Sequence, residues 1–128
     1  MRHIMVLNPK GGCGKSTLAT NIASYFVSQG AAVALADYDP QRSSLDWLAR
    51  RPDNRPAIAG VAGYESGLRH APRNADFIII DAPARSHGKE LVDLVNHAET
   101  IVVPVLPSTI DIQATANFLE ELKGVSKI

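Results

Sequence analysis

The chain has 128 residues, a length that suits one domain, since a single core serves up to roughly 250 residues. Apolar residues make up 45% and charged residues 20%, a globular and not a disordered composition. Lysine plus arginine and aspartate plus glutamate each total 13, so the formal charge is zero and bulk charge does not point to nucleic acid; a local basic patch would be needed.

The single cysteine, Cys13, excludes an intrachain disulfide and with it a disulfide-stapled secreted scaffold. No apolar run approaches the roughly 18 residues that span a membrane. The apolar run Ile4-Met5-Val6-Leu7 after Arg2 is too short for the core of a signal peptide, so the expected location is the cytoplasm.

His3 to Leu7 is a short apolar run ending at Asn8-Pro9, the pattern of a strand buried on both faces. After Gly11-Gly12-Cys13-Gly14 the spacing predicts a helix over Ser16 to Gln29, with Leu18, Ile22 and Phe26 on one stripe, Ala19 and Ala23 beside them, and Gly30 as its stop. Ala31 to Ala36 reads as a second strand, closed by Asp37-Tyr38-Asp39-Pro40. Ser43 or Ser44 can cap a short helix carrying Leu45, Trp47 and Leu48 that stops before Pro52. The stretch from Arg51 to Gly63 reads as a loop with a short strand at Ala57 to Val61, followed by a weak helix from Tyr64 to His70. Phe77-Ile78-Ile79-Ile80-Asp81 is the clearest strand, and Ser86 to Asn96 reads as a helix. Thr100 to Leu106 reads as another buried strand and Ser108 to Lys123 as the last helix, with Ser108 and Asp111 at capping-box spacing.

Strands alternating with helices imply right-handed βαβ units and a parallel sheet, in which ligands bind beyond the carboxyl ends of the strands. Asn8, Asp37, Asp39, Asp81 and Pro107-Ser108 all fall at or just past such ends.

The first strand-to-helix turn carries the densest chemistry. Pro9-Lys10-Gly11-Gly12-Cys13-Gly14-Lys15-Ser16-Thr17 resembles a phosphate-binding P-loop. Glycines let backbone N–H groups converge on phosphate oxygens, and the helix that follows aims its positive end at the same anion. Lys15 can reach β and γ phosphates, and the Ser16 hydroxyl can ligate Mg²⁺. The strict pattern is broken at its first position by Pro9, so Lys10 and the Gly11-Gly12 pair fit a variant of the motif. A glycine-rich structural turn is the bland alternative; the strand before it and the Gly-Lys-Ser-Thr junction into a helix argue against it.

Asp81, closing an apolar run, is placed as a Walker B acid; its bland reading is a cap on the next turn. Mg²⁺ keeps several waters, so a hydroxyl plus carboxylates reached through water would suit it. Asp37 and Asp39 flank Tyr38, and strand alternation puts both carboxylates on one side; one can hold metal waters and the other can orient an attacking water. Their bland reading is a turn built on Asp-Pro.

Taken together, Lys10 to Thr17, Asp37-Tyr38-Asp39-Pro40-Gln41, Phe77 to Pro83 and Val103 to Ser108 with Asp111 resemble the ParA/MinD family of deviant-Walker ATPases, nearest to its small ParF-like partition members. The likeness runs along essentially the whole chain. It implies an α/β P-loop NTPase fold, a three-layer sandwich with a mostly parallel sheet, occupying residues 1–128 as a single domain. It further implies ATP and Mg²⁺ as ligands, a homodimer with ATP sandwiched between the copies, and slow hydrolysis stimulated by a ParB-like or other activator protein.

Within that resemblance Lys10 is the signature lysine that reaches the partner copy's nucleotide, and Lys15 is the ordinary P-loop lysine. Gly11, Gly12, Cys13 and Gly14 complete the nucleotide-binding loop, Ser16 binds Mg²⁺ and Thr17 contacts the α phosphate. Asp39 is the water-positioning acid, with Asp37 and Asp81 holding Mg²⁺ waters. The implied function is positioning or segregation of DNA, as in plasmid or chromosome partition, or of another cargo. A nucleotide-binding adaptor of a full-length partner is the alternative. A metabolic ATPase of the amidoligase type fits Lys10 and the Asp37 to Gln41 run less well.

Family members run on past the point where this chain stops at Ile128, so a truncation at the C-terminus is expected, with loss of the adenine-holding loop and of much of the basic surface that binds nonspecific DNA. Other residues have plain readings. Cys13 is incidental to the motif; Arg50, Arg51, Arg55, Arg69, His70 and Arg73 form a solvated surface; Trp47 is a packing residue; Ser108 and Asp111 form a helix cap. Arg85, shortly after Asp81, can sense nucleotide or partner.

Overall fold

The computed structural model describes residues 2–7, 15–83, 88–105 and 107–125. Lys10, Gly11, Gly12, Cys13, Gly14 and Arg85 lie outside the described residues, as does the side chain of Asp111. The elements, in order, are β1 (Arg2–Val6), α1 (Lys15–Ser28), β2 (Val33–Asp37), α2 (Ser43–Ala49), β3 (Ala59–Ala62), α3 (Gly63–Ser66), β4 (Phe77–Asp81), α4 (Gly88–Asn96), β5 (Thr100–Val102) and α5 (Thr109–Val125).

The strands form one five-stranded sheet in the order β3-β2-β4-β1-β5, and every pairing is parallel. Side-chain alternation sends successive residues to opposite faces. Met5, Ala34, Ala36, Ile78 and Ile80 face one cluster, which Leu94 and Val95 of α4 and Phe118 and Leu122 of α5 complete. Ile4, Val6, Val33, Leu35 and Ile79 face the other, closed by Ala19, Ala23 and Val27 of α1, with Trp47 and Leu48 of α2 at its margin. Helices thus cover both faces, which is why β4 reads as an unbroken apolar run: Ile78, Ile79 and Ile80 are all at most 1% exposed. Burying each contributes about 1.5–3 kcal/mol.

On α1 the residues against the sheet are Ala19, Ala23 and Val27, while Leu18, Ile22 and Phe26 pack at the edge of the cluster and stay partly exposed. The stripe of large apolar residues is therefore the flank of the contact, and the alanines beside it are its centre. Small side chains at the contact bring the helix close to the strands, and the larger ones fill the wedge on either side. Phe26 stacks on Phe77 at 4.0 Å.

Two boundaries differ from the sequence pattern. β5 ends at Val102 and not near Leu106, because Pro104 and Pro107 remove ladder donors. The helix expected over 64–70 is a single turn, Gly63–Ser66, ended by Gly67 at φ 60°. Gly30, at φ 93°, stops α1 as expected. The loop between α2 and β3 is pinned by Arg51: its guanidinium donates to the Pro56 carbonyl (3.2 and 3.0 Å) and to Ser24 Oγ (3.3 Å), and lies 5.4 Å from the Trp47 ring centroid. Arg50, Arg55, Arg69, His70 and Arg73 are exposed, as a solvated basic surface would be.

Gly63 opens α3 directly against the Tyr38 ring, and a Cβ there would come 2.5 Å from Cε1. Gly63→Ala should lower the unfolding free energy by about 1–3 kcal/mol, as overpacking does elsewhere. Urea unfolding followed by circular dichroism measures it; a variant as stable as the parent would mean that Tyr38 yields freely.

Candidate functional site

The carboxyl ends of β1, β2 and β4 lie side by side. Register pairs Val6 with Asp81 and Asp37 with Asp81, so two acids close adjacent strands. The Tyr38 amide extends the ladder by donating to the Asp81 carbonyl at 3.0 Å. Lys15 and Ser16 open α1 above this edge, where the helix end is electropositive.

Asp81 is the hub. It is fully buried, and its carboxylate accepts from three side chains. Lys15 Nζ donates to Oδ1 at 2.5 Å, Ser16 Oγ donates to Oδ2 at 2.8 Å, and the Ser44 hydroxyl donates to the same Oδ2. Lys15 is itself only 8% exposed, and its ammonium also stands 4.0 Å from Asp39 Oδ2. A buried carboxylate without donors would carry a large desolvation penalty; here an ion pair and two hydroxyls offset it.

Asp37 and Asp39 diverge. The Asp37 carboxylate is buried and accepts three backbone N–H groups: Asp39 at 3.0 Å on Oδ1, with Ser44 at 3.1 Å and Leu45 at 3.2 Å on Oδ2. It therefore supplies the acceptor for the first turn of α2 from a neighbouring strand. That helix begins after Arg42, which sits at φ 62° and offers no side-chain cap. Burial raises the pKa of Asp37, and the nearby Asp81 charge adds to the rise; the amides of Asp39, Leu45 and Ser44 act against it.

Asp39 begins a turn with Pro40 at its second position, closed by Arg42 N–H to Asp39 O at 2.9 Å. Its Oδ1 accepts the Gln41 amide at 3.0 Å, and the side chain is 23% exposed. Asp39 thus keeps a carboxylate edge open beside Lys15. Thr17 lies on the exposed side of α1.

Five of the residues singled out from the sequence, Lys15, Ser16, Asp37, Asp39 and Asp81, converge on this edge. Ser44 is the addition: the sequence offered it only as a helix cap, yet it is fully buried and bonds Asp81 across 37 positions of chain. In chemical terms, Ser16 Oγ and Asp81 are the oxygen donors that a hard divalent cation takes. Among the described residues, no group of three or more His, Cys, Asp or Glu side chains is set to hold a metal by protein ligands alone.

A parallel sheet covered on both faces, with a lysine and a serine opening the first helix over a buried acid, defines an α/β P-loop nucleotide-binding fold. Residues 4–127 match the family model described as the CobQ/CobB/MinD/ParA nucleotide binding domain, and the chain belongs to that family. It is 31% identical over 129 residues to the maintenance of carboxysome distribution protein A of Halothiobacillus neapolitanus, covering 97% of this chain and 59% of that one. It is 29% identical over 157 residues to the chromosome-partitioning ATPase Soj of Thermus thermophilus, covering 98% of this chain and 63% of that one. The chain therefore spans about three fifths of the length of these curated relatives. Among solved structures, cobyrinic acid a,c-diamide synthase of Mycobacterium smegmatis with bound ADP and magnesium superposes with a TM-score of 0.75 at 25% identity, covering all of this chain and 69% of that one.

The raised pKa of Asp37 fixes a sign. Its protonated form is favoured more in the folded than in the unfolded chain, so its contribution to stability is full below the unfolded pKa and is lost as pH rises through the folded one. Asp37→Asn removes that dependence. The unfolding free energy of the parent minus that of the variant should fall as pH rises through this window and level off above it. Urea titrations over a pH series check it, and a difference that grows with pH would contradict the burial argument.

Proposed function

We propose that this chain is a Mg-ATP-dependent, ParA-like ATPase domain whose nucleotide-driven dimerisation positions or segregates DNA or another cargo. The observation that carries this reading is the cluster of Lys15, Ser16 and Asp81 at the mouth of α1, beyond the carboxyl ends of β1 and β4. The donor set fits the metal: one hydroxyl and one buried carboxylate, all oxygen, leave most of a Mg²⁺ shell to water and phosphate. When bound, Mg²⁺ neutralises phosphate charge and orients the phosphate oxygens.

The residues divide the work. The amides of Gly11, Gly12, Cys13 and Gly14 cradle the phosphates, and Thr17 contacts the α phosphate. Lys15, on a flexible stem, exchanges a carboxylate partner for β and γ phosphate oxygens. The Ser16 hydroxyl turns to the metal, and Asp81 holds a metal water. Asp39 keeps an open carboxylate edge beside Lys15 and orients the attacking water. Asp37 belongs to the metal's outer surroundings, and its bonds to three amides let it act chiefly by fixing the turn that carries Asp39. Lys10 reaches the nucleotide of a second copy, where an incoming cation couples assembly to γ phosphate charge.

Association has a surface to use. Ile110 and Ile112, on the first turn of α5 just past β5, are 76% and 57% exposed. A homodimer, a ParB-like or other activator and nonspecific DNA are the proposed partners. Among the described residues no helix is long and apolar enough to cross a membrane. The similarity to a carboxysome distribution protein supports a protein assembly as the cargo on an equal footing with DNA.

Calorimetric titration of the 128-residue chain should give micromolar binding of ATP in Mg²⁺. Lys15→Ala should weaken ATP binding about 10- to 100-fold, the loss of a charge-assisted contact. No binding by the folded parent chain overturns the reading. Lys10→Ala should lose the dimer formed with a slowly hydrolysed ATP analogue while keeping monomeric nucleotide binding. Light scattering reads it, and an undiminished dimer removes the role of Lys10 in trans.

A further inference from the structure

Asp81 takes three donors, and in the reading above two of them have a second duty. Lys15 turns to phosphate and Ser16 turns to the metal. Both then leave a carboxylate that has no exposed surface. A buried anion that loses these donors is free to swing to a new partner, and that change spoils it as a holder of metal waters.

Ser44 is the donor that stays. It has no exposed surface, so its hydroxyl has no water to turn to. Its own backbone is fixed, since the amides of Ser44 and Leu45 donate to Asp37 Oδ2 at 3.1 and 3.2 Å. Asp37 is in turn held by its place in β2, paired with Asp81 in β4. The chain of contacts therefore runs from one strand to the next through a side chain that nothing else in the site requires.

We propose that Ser44 is a positioning residue for Asp81: its buried hydroxyl keeps Oδ2 in place when Lys15 and Ser16 turn to nucleotide and metal, so that the carboxylate stays in one orientation toward the cation's waters. The same bond ties the segment carrying Asp39 to β4, so the acid beside the water and the acid beside the metal move together. This rests on the Mg-ATP reading. Residues that orient a metal's surroundings without touching it typically change metal affinity about 10- to 100-fold when lost.

The test uses Mn²⁺ in place of Mg²⁺ and a slowly hydrolysed ATP analogue with the 128-residue chain. Nucleotide affinity is measured in EDTA and in Mn²⁺, and the bound Mn²⁺ is observed by electron paramagnetic resonance. S44A removes the hydroxyl; S44C keeps the volume with a weak donor and serves where S44A does not fold. Both should cut the gain in affinity that Mn²⁺ gives by about 10- to 100-fold and alter the Mn²⁺ spectrum, with affinity in EDTA unchanged. Variants that keep the whole gain overturn the role of Ser44 alone. Variants that lose affinity equally in EDTA and in Mn²⁺ also overturn it, and show a structural part only. A parent chain that binds the analogue no better with Mn²⁺ than in EDTA overturns the Mg-ATP reading itself.

Discussion

A carboxylate with no exposed surface must find its donors inside the protein, and Asp81 finds three of them on two separate helices. Lys15 and Ser16 come from the head of α1 and Ser44 from the first turn of α2. Each of those side chains is useful only if its element ends at the right height above the sheet. The electrostatics of one atom pair therefore constrains where two helices start. The ion pair cannot be judged as a stability device alone, because a buried pair of this kind roughly balances its own desolvation; its value lies in holding both charges where a phosphate and a cation would compete for them.

The packing below makes that height possible. Ala19 and Ala23, both without exposed surface, let α1 settle close on β1 and β4, and Val27 completes the contact. A leucine at either alanine would push the helix outward and carry Lys15 and Ser16 with it, because interiors at crystal-like density give little. On the far side of the sheet, Tyr38 packs against Gly63 and its backbone N–H bonds the Asp81 carbonyl. The segment between Asp37 and Asp39 is therefore clamped from below by a ring and from the side by a ladder bond. The acids it carries are presented by a stiff piece of backbone and not by a free loop.

How much of this could be read from the chain follows from the range of the interactions. β4 was legible because an unbroken run of isoleucines has one good explanation, and its terminal acid followed. The lysine and serine at the head of α1 were legible because the motif around them is local in sequence. The apolar side of α1 was legible, but not which of its residues meet the sheet: periodicity does not choose between the large stripe and the alanines beside it, and the sheet selected the small ones. Ser44 was invisible as a site residue: its partner lies 37 positions away, and nothing within its own helix distinguishes it from the neighbouring Ser43. The end of β5 was set by prolines that the apolar run concealed.

The pair Asp37 and Asp39 shows why spacing alone does not assign roles. Two residues apart in an ideal strand, they would share a face and an environment. The strand ends at Asp37, however, and Pro40 turns the chain so that Asp39 starts a new piece of geometry. Asp37 sinks into the protein, where three amides absorb its charge and burial raises its pKa. Asp39 stays at the rim, one oxygen engaged by its own turn and the other facing Lys15. The same side chain in two environments gives a structural anchor and a group free to meet a water, and the boundary between them is one proline-directed turn.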